Sequence, residues 1–323
     1  MADVNAMIEA EDVAGLMFEV DVLCGDRDWD SLGYLAQRCR DALERGRQLW
    51  PIASHVDYRL ALEAPAEHAA AVLERSARFT LGPLTEVVAS THTWAELAPS
   101  LPGSHVAAVV AQERILRGED LRGEPVAAPA VFELPMTLAA GETGHRLPEY
   151  RPHDADFPDP TEPLAAVVVS AQEAAPATPR QPTVAAIRDL FEAWTADSDG
   201  TCSVAAAAGP PESAVAATGA LVASEDLRLA QISPGAALVL LTWAGTSGGS
   251  HGRRRGGATG RFLAWWAAAA LAHEEWPLPG VEVLDRVSWW WWEPLPRPSG
   301  FTSGIAVSDS AASTSTALWA TCR

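Results

Sequence analysis

Lysine is missing from this chain of 323 residues, so all 23 of its basic side chains are arginine. A lysine amine is the nucleophile of Schiff-base enzymes and a phosphate ligand in P-loop and protein-kinase folds. The protein therefore lacks the residue on which each of these three chemistries depends.

Cysteine and long apolar runs are scarce as well. Four cysteines occur, far apart, without a Cys-x-x-Cys pair or a histidine at metal-ligand spacing: Cys24, Cys39, Cys202 and Cys322. This pattern predicts reduced thiols in a cytoplasmic protein, with no metal and no cofactor. The N-terminus lacks the basic and apolar regions of a secretory signal. The longest apolar run, Phe262–Ala272, is about half of the ~20 residues that a membrane helix needs, so no membrane contact is expected.

Acidic residues outnumber basic ones by 42 to 23, which gives a net charge of −19. Most of this excess lies before residue 160, where 27 acidic residues accompany 13 arginines. A field of this sign repels nucleic acids and anionic membranes. Neither is therefore predicted as a partner.

The chain divides into three stretches by its residue pattern. Residues 1–120 carry short runs of apolar residues at helical spacing, which predict a mainly α-helical N-terminal domain. Residues 121–181 are rich in proline and are predicted to be a linker. Residues 182–323 mix helix and strand patterns, which predict a smaller α/β domain with a short sheet. The expected fold class is α+β.

Several elements are predicted after residue 120. Strands are expected at Thr201–Ala206, Arg286–Trp292 and Gly304–Ser308, short extended pieces at Val131–Leu134 and Ala165–Val169, and a helix at Ala258–His273. Pro234–Trp243 fits a buried helix and a buried strand equally, because periodicity does not separate the two.

Four consecutive tryptophans, Trp289–Trp292, are the most unusual feature of the composition. In a strand their rings would alternate between the two faces of a sheet. We expect core packing against the helix that carries Trp265 and Trp266, in preference to a stacking surface for bases or sugars.

The basic residues concentrate in one loop, Ser247–Gly257. Gly248–Gly252 matches the Gly-x-Ser-x-Gly elbow of hydrolases, but no acidic residue lies between Ser250 and His273. The order serine, acid, histidine therefore cannot be assembled with His273. The glycine spacing of a dinucleotide-binding loop is also missing. These observations argue against a hydrolase and against the common nucleotide-binding folds.

The same loop gathers positive charge near the predicted start of a helix. The side chains concerned are His251, Arg253, Arg254, Arg255 and Arg261. Helix N-termini attract anions, and guanidinium groups bind carboxylate or phosphate, whereas cations at that end oppose the helix dipole. We therefore expect negative charge at the loop. Carboxylates of the acidic first domain are favoured, and an anionic small molecule is the alternative.

Polar residues also cluster among apolar ones in the first domain. Four of them could line a cleft: His55, Arg59, His92 and Trp94. No third ligand is fixed by spacing, so no metal site is predicted. The interpretation that we favour is structural, with Thr93 capping a short helix and His92 hydrogen-bonded and half-buried.

Five stretches outside the proline-rich part carry a resemblance: His55–Pro65, Leu81–Pro99, Arg114–Leu121, Ser247–Trp266 and the tryptophan run. In these stretches the chain resembles an uncharacterised family of actinobacterial proteins. The resemblance implies soluble cytoplasmic proteins without an assigned activity, and it transfers no catalytic residue. Residues 301–323, rich in serine, threonine and alanine, depart from it.

The sequence does not specify a biochemical function. We expect a soluble binding or interaction protein whose arginine loop contacts an anion. The alternative is an enzyme that acts on a small phosphorylated or carboxylated substrate in a cleft between the domains. His55 and His92 would line one side of that cleft, and His251 with Arg253–Arg255 the other.

Overall fold

The computed structural model describes residues 4–74, 80–126, 132–163, 165–171, 173, 175–209, 213–222 and 224–323. The fold class is α+β, as predicted: helices make up the first part of the chain, and helices and an antiparallel sheet make up the last. Two compact units are formed. The first comprises Met1–Glu119, Gly123–Val131 and Pro148–Phe157, and the second comprises Asp120–Arg122, Phe132–Leu147 and Pro158–Arg323. The proline-rich stretch thus contributes residues to both units.

Helices dominate the first unit. They are α1 (Val4–Ala10), α2 (Val13–Asp26), α3 (Trp29–Leu43), α4 (Trp50–Glu63), α5 (Ala66–Ala71), α6 (Leu84–Thr91), α7 (Trp94–Leu97) and α8 (Gly103–Leu116), followed by the small hairpin β1 (Glu149–Tyr150) and β2 (Ala155–Asp156). Side chains cap several helix starts: Asp12 accepts a hydrogen bond from the Gly15 N–H at 2.9 Å, and Asp28 accepts one from Ser31 at 3.1 Å. These bonds satisfy N–H groups that have no partner inside the helix.

Helix α4 lies at the centre of the first unit and contacts α2, α3 and α6. Every residue from Ile52 to Leu62 is buried except His55, which is half-buried. A helix that is enclosed on all sides can carry polar side chains only if they find partners. This requirement determines the surroundings of His55 and Arg59.

The second unit is a sheet with helices on both faces. Its elements are β3 (Val167–Ser170), β4 (Pro176–Ala177), α9 (Gln181–Leu190), α10 (Glu192–Ala196), β5 (Thr201–Ala208), α11 (Ser213–Gly219), β6 (Asp226–Ile232), α12 (Pro234–Thr246), α13 (Gly257–Leu271), β7 (Ser288–Leu295), β8 (Phe301–Asp309) and β9 (Thr314–Cys322). Among the described residues the sheet has seven strands in the order β3-β6-β7-β8-β9-β5-β4, and each neighbouring pair is antiparallel.

Most predicted elements of the second unit are present. The predicted strands Thr201–Ala206 and Gly304–Ser308 lie within β5 and β8. The predicted strand Arg286–Trp292 overlaps β7, which begins at Ser288 because Arg286 still belongs to a 3-10 helix. The ambiguous segment Pro234–Trp243 lies in helix α12. Residues 301–323, which depart from the family resemblance, supply the hairpin of β8 and β9. Of the extended pieces, Ala165–Val169 overlaps β3. Residue 131 of Val131–Leu134 lies outside the described residues, and 132–134 form no strand.

The tryptophan run alternates between the two faces of the sheet, as the strand period requires. Trp289 belongs to the core that β7 and β8 form with α9, α12 and α13, where Trp265 is also buried. Trp292 belongs to a second core on the opposite face, under α11, and Trp290 packs against it. The run therefore ties both helical layers to the sheet.

Helices α12 and α13 cross in close contact on either side of the arginine loop. A Cβ atom on Gly260 would lie 2.0 Å from Thr246 Oγ1 and 2.6 Å from the Thr242 carbonyl oxygen. Only glycine lets the two backbones approach so closely. The loop is thus held at both ends by a tight helix pair. No helix in the described part of the chain has the length and apolar character of a membrane span.

Candidate functional site

A cavity of about 360 Å³ opens on the face of the sheet covered by α12. We call it the aromatic pocket. Its lining consists of Asp159–Glu162, Leu240, Trp243, Trp291–Glu293, Arg297 and Gly300–Ile305. Because Trp291 pairs with Ile305 across β7 and β8, the side chains two residues away, Glu293 and Ser303, lie on the same face.

Aromatic rings form the walls of this pocket. Trp243 of α12 and Phe301 of β8 stack with their ring centroids 5.8 Å apart and their planes 25° apart. Behind them Trp194 meets both rings edge-on, at 5.8 and 6.0 Å. The guanidinium of Arg228 lies 5.4 Å from the centre of the Trp291 ring, within cation–π distance. These contacts hold the rings in fixed orientations.

An ion network lies beside these rings. The side chain of Glu293 is only 3% exposed, and Arg228 donates to its Oε1. The Nε of Arg297 lies 3.5 Å from the other carboxylate oxygen of Glu293, and Arg297 also pairs with Glu162. The cavity lining contains Asp159, Glu162, Glu293 and Arg297. When Arg228, which pairs with Glu293 and Glu162 but does not line the cavity, is counted with them, the formal charge is one unit negative.

Arg261, predicted to contact an anion, is fully buried and bound by groups of the second unit. Its guanidinium donates to both carboxylate oxygens of Glu142 at 2.9 Å and to the carbonyl oxygens of Pro135 and Thr137 at 3.0 Å. Trp265 donates to the same carboxylate at 2.9 Å. The compensating negative charge therefore comes from Glu142, in the proline-rich stretch.

The pKa of Glu142 reflects this arrangement. Burial alone would raise the pKa, but hydrogen bonds and charge from Arg261, with donation from Trp265 and the Ala139 N–H, lower it below its usual value of 4.5. Glu142 is therefore an ionised, paired carboxylate in the core.

The other loop residues also contact their own chain. Arg255 donates to the Asp189 carbonyl oxygen at 2.9 Å and lies 3.6 Å from a carboxylate oxygen of Glu192. Arg253 and Arg254 also have interaction partners. His251 is exposed, and its backbone N–H donates to Ser198 Oγ at 3.1 Å. Binding of a small anion at this loop stays a prediction.

Ser250 does not occupy a nucleophile elbow. Such an elbow joins a strand to a helix, whereas this loop joins helices α12 and α13. The Ser250 N–H donates to Cys322 Sγ at 3.2 Å, and the Cys322 thiol donates to Ser250 Oγ at 3.3 Å. The serine is thus part of the contact between the loop and the end of β9.

The structural interpretation of His92 and its neighbours is confirmed. Thr93 forms a capping box with Glu96 at the start of α7. The two ring nitrogens of His92 lie 3.0 and 3.2 Å from the carbonyl oxygens of Ala64 and Val88. Trp94 is buried, and its backbone N–H donates to Glu119 at 3.1 Å. These residues hold the connection between α6 and α7.

His55 and Arg59 lie one turn apart in a polar cluster of the first unit. The Arg59 side chain is 6% exposed and bonds to Glu63 at 2.6 Å and to Asp21 at 2.5 Å. The His55 ring stacks on His153 at 5.6 Å. Burial first, and then the positive charges of Arg59 and His153, lower the pKa of His55 to about 4. Within the described ranges, no group of three or more metal-ligating side chains is arranged to hold a metal ion.

Sequence reasoning missed the aromatic pocket, whose walls come from four separate segments. One signal was available: in the strand Trp289–Leu295, Glu293 falls at a period-2 position among buried aromatic residues. A carboxylate on an apolar face needs a partner and indicates a polar contact there. Arg228 is 65 residues away from Glu293 in the sequence, and Arg297, four residues after Glu293, lies beyond the end of β7, where strand spacing does not indicate a contact.

The fold and the site together define an α+β protein with an aromatic-walled, ion-paired pocket on its sheet. Residues 14–296 match a family model described as "Family of unknown function (DUF6183)", and the chain belongs to this family. No curated protein and no solved structure matches the chain. The matched residues include the lining residues Asp159–Glu162, Leu240, Trp243 and Trp291–Glu293, but Arg297 and Gly300–Ile305 lie beyond them.

Proposed function

We propose that the protein binds a small organic molecule in the aromatic pocket. The observation that carries this proposal is the nearly buried carboxylate of Glu293, paired with Arg228 and Arg297 beside Trp291 and the Trp243–Phe301 stack. Buried ion pairs usually stabilise a fold no better than apolar residues of the same volume. Their presence in a cavity of about 360 Å³ therefore supports a role in recognition, and small-molecule pockets usually measure roughly 300–1,000 Å³.

The lining favours a ligand with a flat apolar ring and a neutral or cationic polar edge. Aromatic faces stack on planar rings and attract cations. The formal charge of the pocket is one unit negative, which disfavours phosphates and carboxylates. The proposal therefore keeps the expected class, a binding protein, but moves the site from the arginine loop to the sheet.

A cytoplasmic location is part of this proposal. All four cysteines are free, and Cys24, Cys39 and Cys322 are buried. Free buried thiols are typical of proteins in reducing compartments. The enzyme acting on a phosphorylated or carboxylated substrate stays an alternative prediction.

Thermal-shift titration with three probes of similar size tests the proposal: benzyltrimethylammonium, benzyl alcohol and benzoate. We expect the largest rise in Tm with benzyltrimethylammonium and none with benzoate, because a ligand that binds only the folded state stabilises it. Ser303→Phe should abolish the rise by filling the pocket. Ser303→Ala removes the hydroxyl but leaves the cavity open, so this variant should still show the rise in Tm.

Two results would count against the proposal. One is a rise in Tm for benzyltrimethylammonium that persists in the Ser303→Phe variant, since binding would then be elsewhere. The other is that none of the three probes, at the highest concentration reached in the titration, changes the Tm of the wild-type protein.

A further inference from the structure

Strand β3 forms one edge of the large sheet and exposes apolar side chains. Val167 and Val168 are 59% and 61% exposed, the highest values among the valines of the described residues. On its other side β3 pairs with β6, with Val168 opposite Arg228 and Ser170 opposite Asp226. An exposed apolar edge strand offers a template for pairing with another strand.

The register identifies the backbone groups that face outward. The Ala171 N–H donates to the Glu225 carbonyl oxygen, so Ala171 and Glu225 form a hydrogen-bonded pair. Hydrogen-bonded and non-hydrogen-bonded pairs alternate along an antiparallel ladder. Val169 and Val167 therefore bond to β6, whereas the N–H and C=O groups of Val168 and Ser170 point away from the sheet.

The opposite edge of the sheet is protected. Strand β4 there consists of Pro176 and Ala177 alone, and Pro179 follows. Short edge strands and prolines block the addition of another strand, because proline has no N–H to donate. Strand β3 has neither proline nor a charged residue. The two edges of one sheet thus differ in whether they accept a further strand.

We propose that two copies of the chain pair through β3, antiparallel and about a two-fold axis. The register centred on Val169 places Val168 opposite Ser170 of the other copy, and Ser170 opposite its Val168. Both of these pairs use outward-facing groups, so each exchanges two hydrogen bonds. The sheets of the two copies would then continue into one another.

The absence of charged residues along β3 favours a second copy of the chain as the partner of this edge strand. Residues 165–171 contain no charged side chain, within a chain of net charge −19. In the proposed register Val169 meets its own counterpart, and Val167 meets Ala171. No like charges are opposed in these pairs, and the facing side chains are small enough for close pairing. The dimer interface is isologous, the common form for homodimers.

Sedimentation equilibrium over a range of concentrations tests the proposal with the full chain. We expect the wild-type protein to dimerise reversibly and Val168→Pro to remain a monomer, because proline removes an outward N–H but spares the bonds to β6. Val168→Thr is the matched control, since it keeps the N–H and the side-chain shape, and it should dimerise. A wild-type protein that stays monomeric at every soluble concentration would overturn the proposal.

A charge-exchange experiment covers the case in which Val168→Pro fails to fold. In the proposed register, the double variant Val168→Lys/Ser170→Lys places a lysine opposite a lysine in both pairs, and it should be monomeric. The corresponding double glutamate variant should also be monomeric. Mixing the two should restore a mixed dimer, because each lysine then faces a glutamate. Failure of the mixture to associate, although both variants are folded, would contradict strand pairing in this register.

Disulfide formation tests the register itself. Val169 and its counterpart would form a non-hydrogen-bonded pair with Cα atoms about 4.5 Å apart, within the range of about 4.4–6.8 Å that a disulfide spans. Val169→Cys should therefore form a linked dimer under mild oxidation. Val167→Cys, whose partner is Ala171, should not link to itself. Linking of Val167→Cys in preference to Val169→Cys would show that the register is wrong.

Discussion

The arginine loop and the aromatic pocket both pair arginines with carboxylates, but in opposite settings. Arg261 at the start of α13 is fully enclosed, and its donors are used by Glu142 and two carbonyl oxygens. Arg297 at the pocket is 47% exposed beside an open cavity. Arg261 is thus bound within its own chain, whereas Arg297 borders a cavity that leaves space for a ligand. A concentration of charge along a sequence therefore does not by itself show which charges are paired within the chain and which stay accessible.

Replacing Arg261 by alanine should have the largest effect on stability. It leaves Glu142 buried without its cation, and breaking one side of a buried pair costs about 3–5 kcal/mol. Urea unfolding followed by circular dichroism measures this change. Arg286→Ala, which removes a 65% exposed arginine paired with Glu274, is the control and should lose about 0–1 kcal/mol.

The double variant Arg261→Met/Glu142→Leu separates pairing from packing. Removing both charges leaves no unpaired ion, and apolar replacements of buried pairs are often neutral. The double variant should therefore be more stable than Arg261→Ala. If both variants lose the same stability, the Arg261–Glu142 pair is not the reason for the loss.

Gly260→Ala should have the next largest effect. Its Cβ would clash with Thr246 and the Thr242 carbonyl oxygen, so α12 and α13 must move apart, at a cost of about 1–3 kcal/mol. Gly33→Ala is the matched control: Gly33 lies within α3, and nothing is within 4 Å of its added Cβ. That substitution should stabilise the protein by roughly 0.5–1 kcal/mol, because alanine favours helix over glycine. Equal effects of the two substitutions would refute tight helix packing at the loop.

Acid should weaken the loop region through Glu142. The pKa of Glu142 in the folded protein lies below its usual value of 4.5. The stabilisation that ionised Glu142 provides is therefore complete above the pKa of this residue in the unfolded chain, and it is lost as the pH falls through its pKa in the folded protein. Urea unfolding between pH 6 and pH 3 should show this loss in the wild-type protein. The Arg261→Met/Glu142→Leu variant should lose less stability over the same interval. An identical pH dependence in both proteins would exclude Glu142 as the source.

Much of the fold follows from local pattern. Helical spacing in residues 1–120, the strand at Thr201–Ala206 and the alternation of Trp289–Trp292 are each properties of a few neighbouring residues, and the structure contains all three. The need of Arg261 for negative charge was also predictable, because cations oppose the dipole at a helix start. The identity of the residue that supplies this charge was not predictable. Glu142 precedes Arg261 by 119 residues, and no periodicity connects them.

The pocket could not be predicted for the same reason. Trp243, Trp291 and Phe301 lie on three elements that meet only after the sheet has formed and α12 has packed on it. Each residue alone is indistinguishable from core, since Trp291 is buried and Trp243 and Phe301 are half-buried against the core. These residues differ from other core residues only in that they border a cavity. A cavity arises from the packing of the whole fold and cannot be seen in the sequence.

Arg297→Ala should have the smallest effect on stability and the clearest effect on binding. Arg297 is 47% exposed, so losing its pairs with Glu162 and Glu293 should cost only about 0–1 kcal/mol. Its removal leaves three acidic side chains facing Arg228 alone, which makes the pocket more negative. The pocket should then bind benzyltrimethylammonium more tightly than the wild-type pocket does, as measured by isothermal titration calorimetry. Arg286→Ala should leave this affinity unchanged, because Arg286 does not line the pocket. Weaker binding of benzyltrimethylammonium by Arg297→Ala would mean that the arginine, and not the carboxylates, contacts the ligand.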